Sequence, residues 1–216
     1  LMAHYSKDQI MLDSSKNNEH IHKRTASEVF SDEMENVTDE MRRRAKTINF
    51  GLLYGMSAFG LSNQLSVSRA EAEEFLLNYF TKYSSIKVFM KDVVEQAKKD
   101  KYVSTLYGRK IHVPNIESPN YMLRQASERA AVNGPLQGSA ADIIKRAMIN
   151  IFKESGRNEK DVKMILQVHD ELVFEVPEDY DEKNISYLID LMEESSSIDV
   201  PLKVEHGFGL NWREAH

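Results

Sequence analysis

The chain has no cysteine among its 216 residues and a single tryptophan. Without thiols it has neither a disulfide framework nor a cysteine metal cluster, which is compatible with a reducing cytoplasm. Long apolar runs are missing too: nothing approaches the ~20 residues a membrane span needs, and no basic-then-apolar leader opens the chain. Five prolines and nine glycines punctuate the sequence without accumulating in any tract, and there is no internal repeat. Excess positive charge is also lacking. Lys and Arg total 28 against 34 Asp and Glu, a formal net charge of −6, the opposite of the balance by which phosphate-backbone binding usually shows itself.

That average hides a distribution. Between Glu178 and Glu194, seven carboxylates (Glu178, Asp179, Asp181, Glu182, Asp190, Glu193, Glu194) face one cation, Lys183, whereas Arg42, Arg43, Arg44 and Lys46 cluster. A basic working face opposite an acidic outer one is compatible with the composition. With 41% hydrophobic and 29% charged residues, the chain is of ordinary globular type. Its length suffices for one or two domains that bury roughly 70% of the surface the unfolded chain exposes.

Leu1 sits inside an apolar run with no initiator before Met2, so the sequence reads as a fragment. The polar stretch from Ser14 to His22 predicts a loop. Thr38 as N-cap, with Asp39 and Glu40 in the first turn, predicts a helix stopping near Gly55. Ser68 to Glu71 forms a capping box that opens a second helix, with Phe75, Leu76, Tyr79 and Phe80 as its apolar stripe. A third, over 85–99, buries Phe89, Met90, Val93, Val94 and Ala97, and the three helices are expected to form one unit. Tyr102 to Val113 alternates around Gly108 as a short hairpin. From Tyr121 to Phe152 the period is again helical, with Ile143, Ile144, Ala147, Met148, Ile151 and Phe152 as the buried face, while Gly134-Pro135 predicts a kink or a break. Val162 to Val176 reads as two strands joined by a tight turn at His169-Asp170. A helix over 181–194 and a strand from Val200 to Val204 follow. Helices first and sheet later make an α+β fold.

Three clusters can carry chemistry. In RRRAKTINFGLLYG, residues Arg42, Lys46, Phe50 and Tyr54 recur at steps of four, so each drifts only ~40° from the last and all share one broad face. Two cations followed by two aromatics suit a nucleotide: charge for phosphates, flat rings for sugar and base. An amphipathic helix with solvated cations and core aromatics fits the same spacing. In LQVHDELVFEV, His169, Asp170 and Glu171 sit at a turn, where carboxylates on a rigid hairpin are placed to ligate Mg²⁺; Asp170 as a plain turn former is the alternative. A zinc reading of His169, or of the His20 and His22 pair, lacks ligand spacing and a third partner. The third cluster is Arg129, Asn133 and Gln137, again at steps of four among small residues. Such donors can contact minor-groove acceptors without reading sequence, or the small residues can serve helix packing.

The strings RRRAKTINFGLLYGMSAFGL, ERAAVNGPLQGSAADIIKRAM and QVHDELVFEVP, in this order and separation, resemble the bacterial DNA polymerase I group of the family A DNA polymerases. The resemblance spans the chain from LMAHYSKD to GLNWREAH. It implies a right-hand polymerase with an antiparallel palm sheet and helical fingers, truncated at the N-terminus: residues 1–18 palm, 19–123 fingers and 124–216 palm. It implies that Arg42, Lys46 and His22 contact the dNTP phosphates, that Phe50 packs on the sugar and that Tyr54 stacks near the templating base. Asp170 would be a metal-ligating aspartate and Glu171 its neighbour. Arg129, Asn133, Gln137 and His169 would contact primer-template DNA. Two Mg²⁺ ions, a monomeric state, a cytoplasmic location and no membrane partner belong to the same expectation, with Lys46 as a general acid. The family's other catalytic aspartate is expected upstream of Leu1, so the chain alone is expected not to polymerise. A non-catalytic nucleotide and primer-template binding module is the alternative; a metal-dependent phosphohydrolase would need further clustered carboxylates or histidines.

Overall fold

The computed structural model describes residues 1–16, 21–53, 55–158, 162–180 and 185–215. These fall into two compact units, 1–139 and 140–216. In the first unit, α1 (Met2–Ser6), α2 (Gln9–Lys16) and α3 (Ile21–Phe30) precede α4 (Asp39–Leu53), α5 (Ala58–Leu65), α6 (Arg69–Lys82) and α7 (Ser84–Asp100). Thus the polar stretch after Ser14 is helical on both sides of 17–20, which lie outside the described residues. Polarity did not prevent helix there because Ser14 turns inward and is buried, while the Ser15 hydroxyl donates to the Met11 carbonyl (2.8 Å).

Local chemistry sets several boundaries. Thr38 Oγ1 accepts from Met41 N–H at 3.2 Å and starts α4. At α6 both halves of the capping box are made: Ser68 Oγ accepts from Glu71 N–H, and Glu71 Oε2 accepts from Ser68 N–H. The core of this unit is laid by the inward faces of these helices. Ala45 and Ile48 of α4, Ala26 of α3 and Ile86 of α7 are fully buried or nearly so, each large side chain contributing ~1.5–3 kcal/mol by leaving water. Tyr79 and Tyr83 pack ring on ring, 4.8 Å apart.

The antiparallel hairpin β1 (Tyr102–Ser104) and β2 (Lys110–His112) follows, with Gly108 at φ 79° in its turn. Against it lies α8 (Tyr121–Asn158). Of the kink or break expected at Pro135, the break does not occur, and the helix also continues past Phe152: it runs through both positions. The reason is tertiary. A Cβ on Gly134 would meet Val103, and one on Gly138 would meet Thr105 and Ile111, so the glycines seat the helix directly on the hairpin. Arg109 Nη2 donates to the Gly138 carbonyl (2.9 Å), Leu106 N–H donates to Ser139 Oγ (2.9 Å), and the Tyr5 hydroxyl donates to the Pro135 carbonyl (3.3 Å).

The second unit begins within α8. Its core joins Ile151 to Val162 and Leu188, with Leu172 and Phe174 packed against them. Phe152, expected in this core, is 79% exposed: it sits ~100° around the helix from Ile151, off the covered face. Strands β3 (Lys163–Val168) and β4 (Glu171–Glu175) pair antiparallel, with an irregularity between Met164 and Leu166. Helix α9 (Ile185–Glu193) and a short α10 (Trp212–Ala215) complete the unit; residues 181–184, the start of the expected helix, lie outside the described residues. The expected strand from Val200 to Val204 is not formed. Strand propensity needs an edge to pair with, and here Val204 N–H is taken by the Glu193 carboxylate (2.9 Å) instead. The fold is therefore α+β, helical with small antiparallel sheets.

Candidate functional site

Helix α4 has two distinct faces. Ala45, Ile48 and Leu52 are buried, whereas Arg42, Lys46 and Phe50 are exposed, Phe50 by 43%. The expected ridge is thus a surface feature, and its aromatic is not a core residue. Tyr54, its fourth member, lies outside the described residues. Lys46 Nζ stands 5.9 Å from the Phe50 ring centroid, and the His22 ring of α3 lies 5.7 Å from Phe50 at 43°. Arg44, on the adjoining face, is paired with Glu40 at 2.7 Å. Arg42 and Lys46 have no carboxylate partner among the described residues, so their charge is available to an anion.

Three residues that the spacing argument did not single out stand behind this patch. Asn49 Nδ2 is 3.1 Å from His22 Nδ1 and donates to Thr25 Oγ1 at 3.0 Å. Thr25 Oγ1 is in turn 3.4 Å from the Tyr83 hydroxyl. Burial pushes the Tyr83 phenol above its ordinary value, so it stays neutral. A signal was present in the sequence: Thr25 follows His22 by three residues, and so shares its helical face.

The end of α4 is a Schellman arrangement. Met56 N–H donates to the Gly51 carbonyl (2.8 Å) and Gly55 N–H to the Leu52 carbonyl (2.9 Å), with Gly55 at φ 64°. Over Gly55 lies the stem of Arg129. The structure therefore brings one residue of the α8 stripe to the end of the α4 ridge. Arg129 and Gln137 are exposed and Asn133 is partly so, while Ala131, Val132 and Leu136 of the same helix are buried. The small residues Gly134 and Gly138 serve packing on the hairpin, and the polar stripe faces the other way.

In the second unit, Val168 pairs with Glu171, leaving His169 and Asp170 as a two-residue turn. His169 is left-handed at φ 52°, and Gln167 Nε2 donates to its carbonyl (2.6 Å). His169 and Asp170 are exposed and Glu171 is partly buried. Adjacent carboxylates on a short hairpin are hard oxygen donors of the kind magnesium takes, one or two at a time, leaving other positions to water and phosphate. Among the described residues, no group of three or more His, Cys, Asp or Glu side chains is placed to hold a metal ion. Of the acidic run, Glu178, Asp179, Asp190 and Glu194 are exposed to solvent. No helix among the described residues is long and apolar enough to cross a membrane.

Comparison with known proteins gives a consistent result. A family model described as DNA polymerase family A matches residues 1–214. The chain is 47% identical to DNA polymerase I of Pseudomonas aeruginosa over 219 residues, covering 100% of the chain and 24% of that protein. It is 44% identical to DNA polymerase I of Caldicellulosiruptor bescii, with 99% and 25% covered. It thus spans about a quarter of the length of these curated relatives. Among solved structures, the POL domain of Pol1 from M. smegmatis, in complex with DNA primer-template and dNTP, superposes with a TM-score of 0.95 at 42% identity, covering 99% of the chain and 38% of that domain's chain.

Proposed function

The chain belongs to DNA polymerase family A, and from that premise we propose that it forms the fingers and most of the palm of a DNA-directed DNA polymerase. The reaction is template-directed transfer of dNMP from a dNTP to a primer 3′-hydroxyl. The observation that carries this reading is the exposed patch on which His22, Lys46 and Phe50 meet, with Arg42 one turn away.

Each residue has a role in this reading. Arg42, Lys46 and His22 hold the triphosphate, and holding it aligns the α-phosphorus with the attacking oxygen. Phe50 packs on the sugar and Tyr54 beside the templating base. Lys46 stabilises the charge that builds on the departing pyrophosphate and donates a proton to it. Arg129, Asn133, Gln137 and His169 donate hydrogen bonds to the minor groove and the primer terminus. Asp170, with Glu171 beside it, holds magnesium. An ion held there, with the second ion expected in the complete enzyme, would acidify the attacking hydroxyl and offset the charge of the triphosphate. In domain terms, residues 1–18 and 124–216 are palm and 19–123 fingers. The protein works as a cytoplasmic monomer on primer-template DNA.

Two carboxylates cannot clamp two divalent ions, so the 216-residue chain by itself binds dNTP and primer-template without extending the primer. Titration with dNTP and labelled primer-template, followed by a primer-extension assay against the Asp170→Ala variant, tests both statements. Binding without extension is expected. Extension above that of the variant overturns the second statement; absence of dNTP and DNA binding overturns the first.

A further inference from the structure

Asn49 stands between the two faces of α4, beside fully buried Ile48 and exposed Phe50, and is itself only 8% exposed. A buried amide must place its hydrogens. One goes to Thr25 Oγ1 at 3.0 Å, and the nitrogen also lies 3.1 Å from His22 Nδ1. An amide nitrogen only donates, so Nδ1 of His22 accepts, and the single proton of the neutral imidazole sits on Nε2. Thr25 is fully buried, and its Oγ1 is also 3.4 Å from Asn49 Oδ1 and from the Tyr83 hydroxyl. A polar chain thus runs from the centre of the first unit, through Tyr83, Thr25 and Asn49, to the partly exposed His22. Apolar side chains of similar shape would fill this space without the desolvation cost of burying polar ones. The chain's product is directional: it fixes which ring nitrogen of His22 carries the proton.

We propose that Asn49 is a positioning residue that holds His22 as the Nε2–H tautomer, so that, against the same Phe50 ring that the Lys46 ammonium approaches, the imidazole offers a donor to a phosphate oxygen of a nucleoside triphosphate. The opposite tautomer would aim a lone pair at an anion. Lys46 supplies charge without direction, whereas the imidazole N–H supplies direction without charge. The target of the donor rests on the nucleotide reading of the α4 patch; the tautomer control does not.

The test uses the 216-residue chain labelled with ¹⁵N-histidine, at about pH 8, above the ordinary histidine value of ~6.5. The expected spectrum shows His22 protonated at Nε2, and Asn49→Leu turns it into a mixture of tautomers. Thr25→Val does so in part, and Thr25→Ser restores the original pattern, a rescue that separates positioning from bulk. Addition of dTTP shifts the His22 Nε2 resonance, and Asn49→Leu weakens dTTP binding about tenfold, the loss expected for one charge-assisted hydrogen bond. Protonation at Nδ1 in the unaltered chain, or a tautomer indifferent to Asn49→Leu, overturns the proposal. If Asn49→Leu does not fold, Thr25→Val against Thr25→Ser decides, and equal spectra overturn it. A tautomer that responds while dTTP leaves His22 unmoved upholds the positioning and overturns the nucleotide reading.

Discussion

The stem of Arg129 lies on Gly55: a Cβ at Gly55 would stand 2.4 Å from Arg129 Cγ and 2.9 Å from its Cδ. Glycine is required there twice, once for the left-handed φ of 64° that ends α4 and once for the room above it. The residue expected to meet the minor groove is thereby held against the end of the helix expected to meet the nucleotide.

Gly55→Ala is expected to destabilise the 216-residue chain by about 1–3 kcal/mol in urea unfolding, from left-handed strain plus overpacking. Adding Arg129→Ala removes the two closest atoms and recovers the overpacking part but not the backbone part. A pair of changes whose costs simply add would show that the contact carries no energy.

Lys46→Ala, in a full-length polymerase containing this chain, is expected to lower the rate of nucleotide incorporation far more than DNA affinity. Rapid-quench incorporation and DNA-binding titrations separate the two. Equal weakening contradicts a phosphate role for Lys46.

Phe50→Tyr in the same polymerase is expected to relax discrimination against dideoxynucleotides, because the ring proposed to pack on the sugar gains a hydroxyl. The ratio of dNTP to ddNTP incorporation reads this directly; an unchanged ratio removes Phe50 from the sugar pocket.

Glu28 accepts from Lys82 (2.7 Å) and Arg24 (3.0 Å). Burial pushes its carboxyl up, but the hydrogen bond and charge of Lys82, with those of Arg24, outweigh burial and hold it below the usual 4.5. A carboxyl lowered by folding contributes stability in full above its unfolded value and loses it as pH falls through the folded one. Lys82→Met is therefore expected to cost about 0.5–1 kcal/mol at neutral pH, and to make stability fall less steeply below about pH 4.5. Melting temperatures across pH check both, and parallel pH profiles would refute the coupling.

His169→Gly is expected to stabilise the chain by up to about 1 kcal/mol, since the left-handed strain it relieves exceeds the extra entropy that glycine loses. In a complete polymerase it should weaken the hold on the primer terminus. A variant less stable than the parent would show that the His169 side chain itself supports the hairpin.

What could be read from the sequence was local. Thr38, the Ser68 to Glu71 box, Gly108 and the His169-Asp170 turn act within a few residues of themselves, and the structure places each where its own chemistry dictates. The ridge of Arg42, Lys46 and Phe50 was also legible, because helical spacing alone fixes which residues share a face; only its exposure needed the fold. What escaped depended on distant partners. Pro135 stays helical because Tyr5, Leu106 and Arg109 grip that stretch of α8. Val204 forms no strand because Glu193 takes its N–H. Asn49 gains its importance only when α3 brings Thr25 and His22 against it.

Leu172 and Phe174 on β4 point into the core of the second unit because Glu171 pairs with Val168 across a two-residue turn. Successive side chains on a strand face opposite ways, so adding or deleting one residue at 169–170 would exchange the core face of β4 for its outer face along the whole strand. Natural drift and mutagenesis libraries should therefore accept new letters in this turn but no change in its length, and single-codon indels there should be purged while those in the stretch after Val113 survive.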